Sequence, residues 1–116
     1  MTSYDGQHLV ADLVDAARLD DAAFVEQCLV AAAAAAGATL LEVRLHSFGQ
    51  GQGVTGVALL AESHISIHTW PEHGTACVDI FMCGRTHDLQ AALDAIVVPL
   101  GARVAARTLL HRTFGG

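Results

Sequence analysis

Positive charge is scarce in this sequence: six Lys and Arg stand against twelve Asp and Glu, a formal net charge of −6. A phosphate-binding surface needs the opposite balance, so no nucleic-acid partner is expected. Long apolar runs are missing too. Nowhere do eighteen apolar residues stand together, and Met1 to Val10 has no basic stretch followed by a long apolar one. Neither a membrane span nor a secretory leader is expected, which makes the cytoplasm the expected location. Cysteine is limited to Cys28, Cys77 and Cys83, an odd number without paired spacing. That pattern fits reduced thiols better than a disulfide framework. The two prolines, Pro71 and Pro99, sit near expected element ends, and no Pro-rich, Ser-rich or long charged segment divides the chain. A linker is therefore not expected, and residues 1–116 read as one domain.

What is present is apolar: 53% of the residues are hydrophobic and 16% are charged. This is enough for one compact core. A domain of this size has little room for a deep pocket of its own, so a site shared between subunits, and hence an oligomer, is expected.

Periodicity gives the elements. His8 to Val14 is a short apolar strand ending at Asp15. A helix runs from a cap at Asp20 or Asp21 through Ala36 to Gly37. From Thr39 to Phe48, Leu41, Val43 and Leu45 alternate with Glu42, Arg44 and His46, as in a half-buried strand. A loop with Gly49, Gly51 and Gly53 leads to three more strands, Val54 to Leu60, His64 to Trp70 and Ala76 to Met82. A second helix from about Asp88 to Leu100 and a strand from Arg103 to Leu110 complete the order β-α-β-β-β-β-α-β. The fold class expected is α+β, a two-layer sandwich with two helices on one face of a mainly antiparallel sheet.

Chemistry concentrates in Ala61 to Gly74, AESHISIHTWPEHG, with three histidines and two glutamates in fourteen residues. On a strand, Ile65 and Ile67 face one way and His64, Ser66, His68 and Trp70 the other. A metal site of His64, His68 and His73 fails on reach, because strand positions four apart stand roughly 13 Å apart; no metal is expected. A hydrolase using Ser63 or Ser66 with His68 lacks the GxSxG elbow. The plain alternative is that these polar groups satisfy one another on an exposed sheet face.

The segment resembles the bacterial and archaeal S-adenosylmethionine decarboxylases, whose proenzymes carry a stretch much like ESHISIHTWPEHG. The likeness continues through Val78-Asp79-Ile80-Phe81-Met82-Cys83-Gly84 and includes His46, Phe48, Gly53-Val54-Thr55-Gly56 and Gly6 to Asp12, so it covers most of the chain. It implies self-cleavage between Glu62 and Ser63 into a β chain, residues 1–62, and an α chain, residues 63–116. The general chemistry is an attack by the serine hydroxyl on the preceding carbonyl, which turns amide into ester. Removal of the Ser63 Cα proton then expels the Glu62 carboxylate, and hydrolysis of the dehydroalanine leaves a pyruvoyl group. The resemblance assigns the proton acceptor to His68 and protonation of the product carbanion to Cys83. It makes the Ser63-derived pyruvoyl the cofactor, forming a Schiff base with the substrate amine, with a homodimer of αβ protomers as the assembly. Taken alone, Ser63 would be a turn serine and Cys83 a buried apolar residue; Cys28 and Cys77 are assigned to packing.

The family's substrate implies an aromatic surface for adenine and negative or π-rich groups near the sulfonium, for which Phe48, Thr55, Trp70 and Glu72 are the candidates. The implied role is to supply decarboxylated S-adenosylmethionine for spermidine biosynthesis. The chain departs from the family pattern at Thr75, usually tyrosine, Met82, usually threonine, Thr55, usually serine, and in the Gly49 to Gln52 loop, which usually holds proline. These departures keep open an L-ornithine or L-arginine decarboxylase on the same scaffold. An uncleaved, non-catalytic binding or regulatory homologue is the alternative of another class.

Overall fold

A computed structural model describes residues 4–115; Met1 to Ser3 and Gly116, part of the expected domain 1–116, lie outside the described residues. The elements are β1 (Tyr4–Val14), α1 (Ala22–Ala36), β2 (Leu40–Ser47), β3 (Val54–Leu60), β4 (Ser63–Trp70), a 3-10 turn (Pro71–His73), β5 (Thr75–Cys83), α2 (Leu89–Val97) and β6 (Arg103–Phe114). They form one six-stranded sheet in the order β2-β3-β4-β5-β1-β6, with every neighbouring pair antiparallel. The expected order of elements is the observed one.

Local signals explain most boundaries. The Asp21 carboxylate accepts from the Phe24 N–H at 3.1 Å and starts α1. Gly37, at φ +77°, ends it by donating back to the Ala33 and Ala34 carbonyls. Asp88 caps α2 in the same way through the Ala91 N–H at 3.0 Å. This helix stops at Val97 instead of running to Leu100, because Pro99 has no N–H to continue the ladder. The first strand begins at Tyr4, earlier than the apolar run, because β1 lies between β5 and β6 and both partners hold its polar end. In β2, a bulge between Leu40 and Glu42 breaks the alternation and leaves Leu41 exposed, while Val43 and Leu45 pack on the core.

Both helices cover one sheet face. Leu9, Leu13, Ile65, Ile67, Val78, Ile80 and Met82 point into it against Val25, Leu29, Ala32, Leu93 and Ile96. The opposite face of the central strands carries His8, Asp12, His64, Ser66, His68, Cys77, Asp79 and Phe81, and no helix among the described residues covers it. No described helix is long and apolar enough to cross a membrane.

Candidate active site

The hairpin joining β3 to β4 is as short as the sheet allows. Leu60 pairs with Ser63, so Ala61 and Glu62 alone make the turn. Glu62 adopts φ +62°, the left-handed conformation that Gly or Asn ordinarily occupies at the second turn position. For a glutamate this costs on the order of 1 kcal/mol, held in place by the flanking strands. The strained residue is thus the one on the carboxyl side of which cleavage is expected. The Ser63 hydroxyl donates to the Ala61 carbonyl at 3.2 Å, and the Tyr4 hydroxyl donates to the Glu62 carbonyl, also at 3.2 Å.

Because β4 and β5 run antiparallel, the start of β4 lies beside the end of β5, which brings Cys83 to the same end of the sheet. Cys83 joins Tyr4, Ala61, Glu62, Arg85, Thr86 and His87 around a cavity of about 320 Å³. The backbone N–H of Arg85 holds the Cys83 thiol below its usual value, with smaller help from Asp5 and Thr86 and against the opposing effect of burial. Burial instead pushes the thiols of Cys28 and Cys77 up, assisted at Cys77 by Asp12. Cys83 is thereby distinguished chemically from the other two.

The remaining expected site residues gather elsewhere. Phe48, Thr55, His68, Trp70 and Glu72, with Gln52 and Gly53, line a second cavity of about 420 Å³. His68 Nδ1 lies 3.2 Å from the Thr55 hydroxyl. Phe48 is 61% and Trp70 42% exposed, so two large aromatic faces flank the cavity without being consumed by the core. Gly53 is required at its rim, since a Cβ there would stand 2.2 Å from the Thr69 carbonyl oxygen.

The two cavities mark opposite ends of β4. Ser63 and His68 are five residues apart on one strand, about 17 Å at the usual rise per residue. Within one copy, Cys83 lines the cavity at the Ala61–Glu62 turn that precedes Ser63, and His68 lines the other one.

Between the ends, topology assembles a group the sequence reading did not find. His8, Phe81 and His64 stand in register across β1, β5 and β4, and Asp79 is two residues along β5 on the same face. His64 Nε2 lies 3.2 Å from one Asp79 carboxylate oxygen and His8 Nε2 meets the other. One nitrogen from each histidine and an Asp79 oxygen lie within 4.8 Å of one another, a set with the chemistry to hold a divalent cation. Neither His68 nor His73 belongs to it. Tyr4 also escaped the sequence reading; the only signal for either feature is the pairing of β1 with β5, which alternation along one strand does not encode.

Residues 7–113 match the family model for S-adenosylmethionine decarboxylase. An S-adenosylmethionine decarboxylase proenzyme of Parasynechococcus marenigrum is 60% identical over 81 residues, spanning 68% of this chain and 62% of that protein. One from Bacillus cytotoxicus is 41% identical over 112 residues, covering 95% and 85%. The crystal structure of the adenosylmethionine decarboxylase from Aquifex aeolicus superposes with a TM-score of 0.74 at 38% identity, over 94% of this chain and 89% of that one. A hairpin strained at Glu62, a neighbouring activated thiol and the match over nearly the whole described sheet converge: the chain belongs to the S-adenosylmethionine decarboxylase family.

Proposed function

We propose that this chain is a self-processing, pyruvoyl-dependent decarboxylase of S-adenosylmethionine that works in the cytoplasm as a pair of copies. The observation that carries the reading is the Glu62–Ser63 junction, where Glu62 is held at positive φ in a two-residue hairpin at the cavity that Cys83 lines, in a chain of this family. Relatives bearing the name proenzyme support cleavage. Residues 1–62 would leave as the β chain and residues 63–116 as the α chain. The cut removes one connection, while β3 and β4 keep their ladder and the core stays buried.

The residues suit a group made from Ser63. Its hydroxyl is engaged only by the adjacent Ala61 carbonyl among the hydrogen bonds described, and the turn is open to the cavity that Cys83 lines. A pyruvoyl group at residue 63 would supply a carbonyl that takes a substrate amine and accepts the electron pair released with carbon dioxide. Cys83, with its thiol held below the usual value, is suited to exchanging a proton with the substrate carbon. Phe48 and Trp70 would hold adenine by stacking, Glu72 would face the sulfonium, and Thr55 would orient His68.

The same geometry supports a pairing of copies. His68 takes the Ser63 Cα proton only if it comes from a second copy, and a two-fold axis across the uncovered sheet face brings the His68 end of one copy onto the Ser63 end of the other. Each cavity alone lies in the lower part of the range for small-molecule sites, and joined across a pair the two would make a larger one. Three free cysteines support a reducing compartment.

One observation favours a dibasic amino-acid substrate. Thr75 stands opposite Trp70 where the family pattern has tyrosine, and its hydroxyl is spent on the His73 carbonyl. Among the described residues, Trp70 therefore has no aromatic partner opposite it on β5. Carbon dioxide release from carboxyl-labelled S-adenosylmethionine, ornithine and arginine, run in parallel on processed protein, tests the assignment. Release from S-adenosylmethionine is the expected result, and release from ornithine or arginine alone would replace it.

A further inference from the structure

We propose that Tyr4 is a catalytic residue of the self-cleavage step, its hydroxyl donating to the Glu62 carbonyl oxygen and holding the charge that forms there when Ser63 attacks. This role rests on the cleavage reading above. In that step the Ser63 Oγ bonds to the Glu62 carbonyl carbon as its proton passes to a base, and the carbonyl π pair moves onto oxygen. Collapse breaks the carbon–nitrogen bond, the nitrogen takes a proton, and an ester joins Glu62 to Ser63; nothing is oxidised or reduced. The oxygen that bears the charge is the one to which Tyr4 already donates, at 3.2 Å. A donor fixed on that atom before reaction strengthens as charge develops and needs no reorganisation.

Tyr4 is fixed. Its ring stacks on Phe114 at 5.0 Å between centroids and tilts against Phe81 at 6.2 Å, and its backbone pairs with Phe114 across β1 and β6. The hydroxyl thus reaches from β1 past the end of β5 to a turn 58 residues away in sequence. Burial, then Cys83 and Glu62, raise the pKa of the phenol, so it stays a donor through the neutral range. No other side chain is described donating to this carbonyl.

The test follows the rate at which freshly made precursor is cut, by mass, in the wild-type chain, Tyr4→Phe and Ser63→Ala, with and without hydroxylamine, which cleaves esters. Removing one such donor is expected to slow cutting about a hundred- to a thousandfold, without rescue by hydroxylamine because the ester itself forms slowly. Tyr4→Phe cut at the wild-type rate would overturn the role of Tyr4 and leave the cleavage reading intact. Slow cutting restored by hydroxylamine would also overturn it, because the defect would then lie after the ester. A wild-type chain that stays whole would remove both. Tyr4 is the only tyrosine in the sequence, so growth on trifluorotyrosine alters that one hydroxyl without a substitution. The fluorinated phenol ionises at lower pH and ceases to donate, so the alkaline fall in cutting rate should move to lower pH. An unmoved profile would contradict the proposal even if Tyr4→Phe folded poorly.

Discussion

If Ser63 attacks and His68 takes the proton, as proposed, a Ser63→Ala chain should stay whole and a His68→Ala chain should lack its proton acceptor, and mixing the two should restore cleavage. Ser63 and His68 lie at opposite ends of β4, about 17 Å apart. A proton transfer needs the two groups within hydrogen-bond reach, so under the proposed roles the acting pair would come from two copies. Under two-fold symmetry, a mixed dimer has one site with both substitutions and one with neither. Random pairing makes half of the dimers mixed, so about one quarter of the wild-type sites survive. The assay is coexpression of the two variants, distinguished by a mass tag, followed by intact mass of the products. Every fragment should derive from the His68→Ala chain, whose Ser63 is served by the partner's intact histidine. If the mixture stays uncut while wild-type protein cuts fully, the shared-site argument is wrong. Cleavage of the His68→Ala chain expressed alone at the wild-type rate would show that His68 is not the acceptor.

The Thr69 hydroxyl donates to the Leu19 carbonyl at 2.7 Å and accepts from the Val54 N–H at 2.8 Å, with the residue only 5% exposed. Thr69→Val leaves both backbone groups unpaired and should cost about 1–3 kcal/mol in urea unfolding; an unchanged midpoint would contradict this. Since Cys83 ionises below the usual thiol value and Cys28 and Cys77 above it, the folded Cys83 carries more thiolate at any pH beneath that value. Iodoacetamide should label Cys83 first, and lowering the pH should slow Cys77 before Cys83; faster labelling of Cys77 would refute the assignment. Thr75→Tyr places a ring beside Trp70 and should lower KM for S-adenosylmethionine about three- to tenfold, leaving ornithine unimproved; no change in KM would show that adenine does not stack there.

Much of the scaffold was legible because its signals are local. Asp21 and Gly37 bound α1, and the glycine loop before β3 and the turn after it located that strand at Val54–Leu60. The site divides differently. The residues around the second cavity, Phe48, Thr55, His68, Trp70 and Glu72, were reached through the resemblance to the family, and they line one cavity. Tyr4 and the His8–Asp79–His64 group could not, since both depend on β1 returning to lie beside β5. The separation of Ser63 from His68 was readable in principle. The same strand arithmetic that separates His64, His68 and His73 also separates the serine from its histidine. Leu41 illustrates the opposite limit, since a single bulge moved it out of the pattern to which its sequence assigned it.

The central claim is that this chain cuts itself between Glu62 and Ser63, and intact mass of the purified protein tests it most directly. The account predicts two polypeptides, one ending at Glu62 and one starting at residue 63 with a terminus lacking the elements of ammonia relative to serine. A single uncut chain after prolonged incubation, inactive on every amino acid offered, would contradict it.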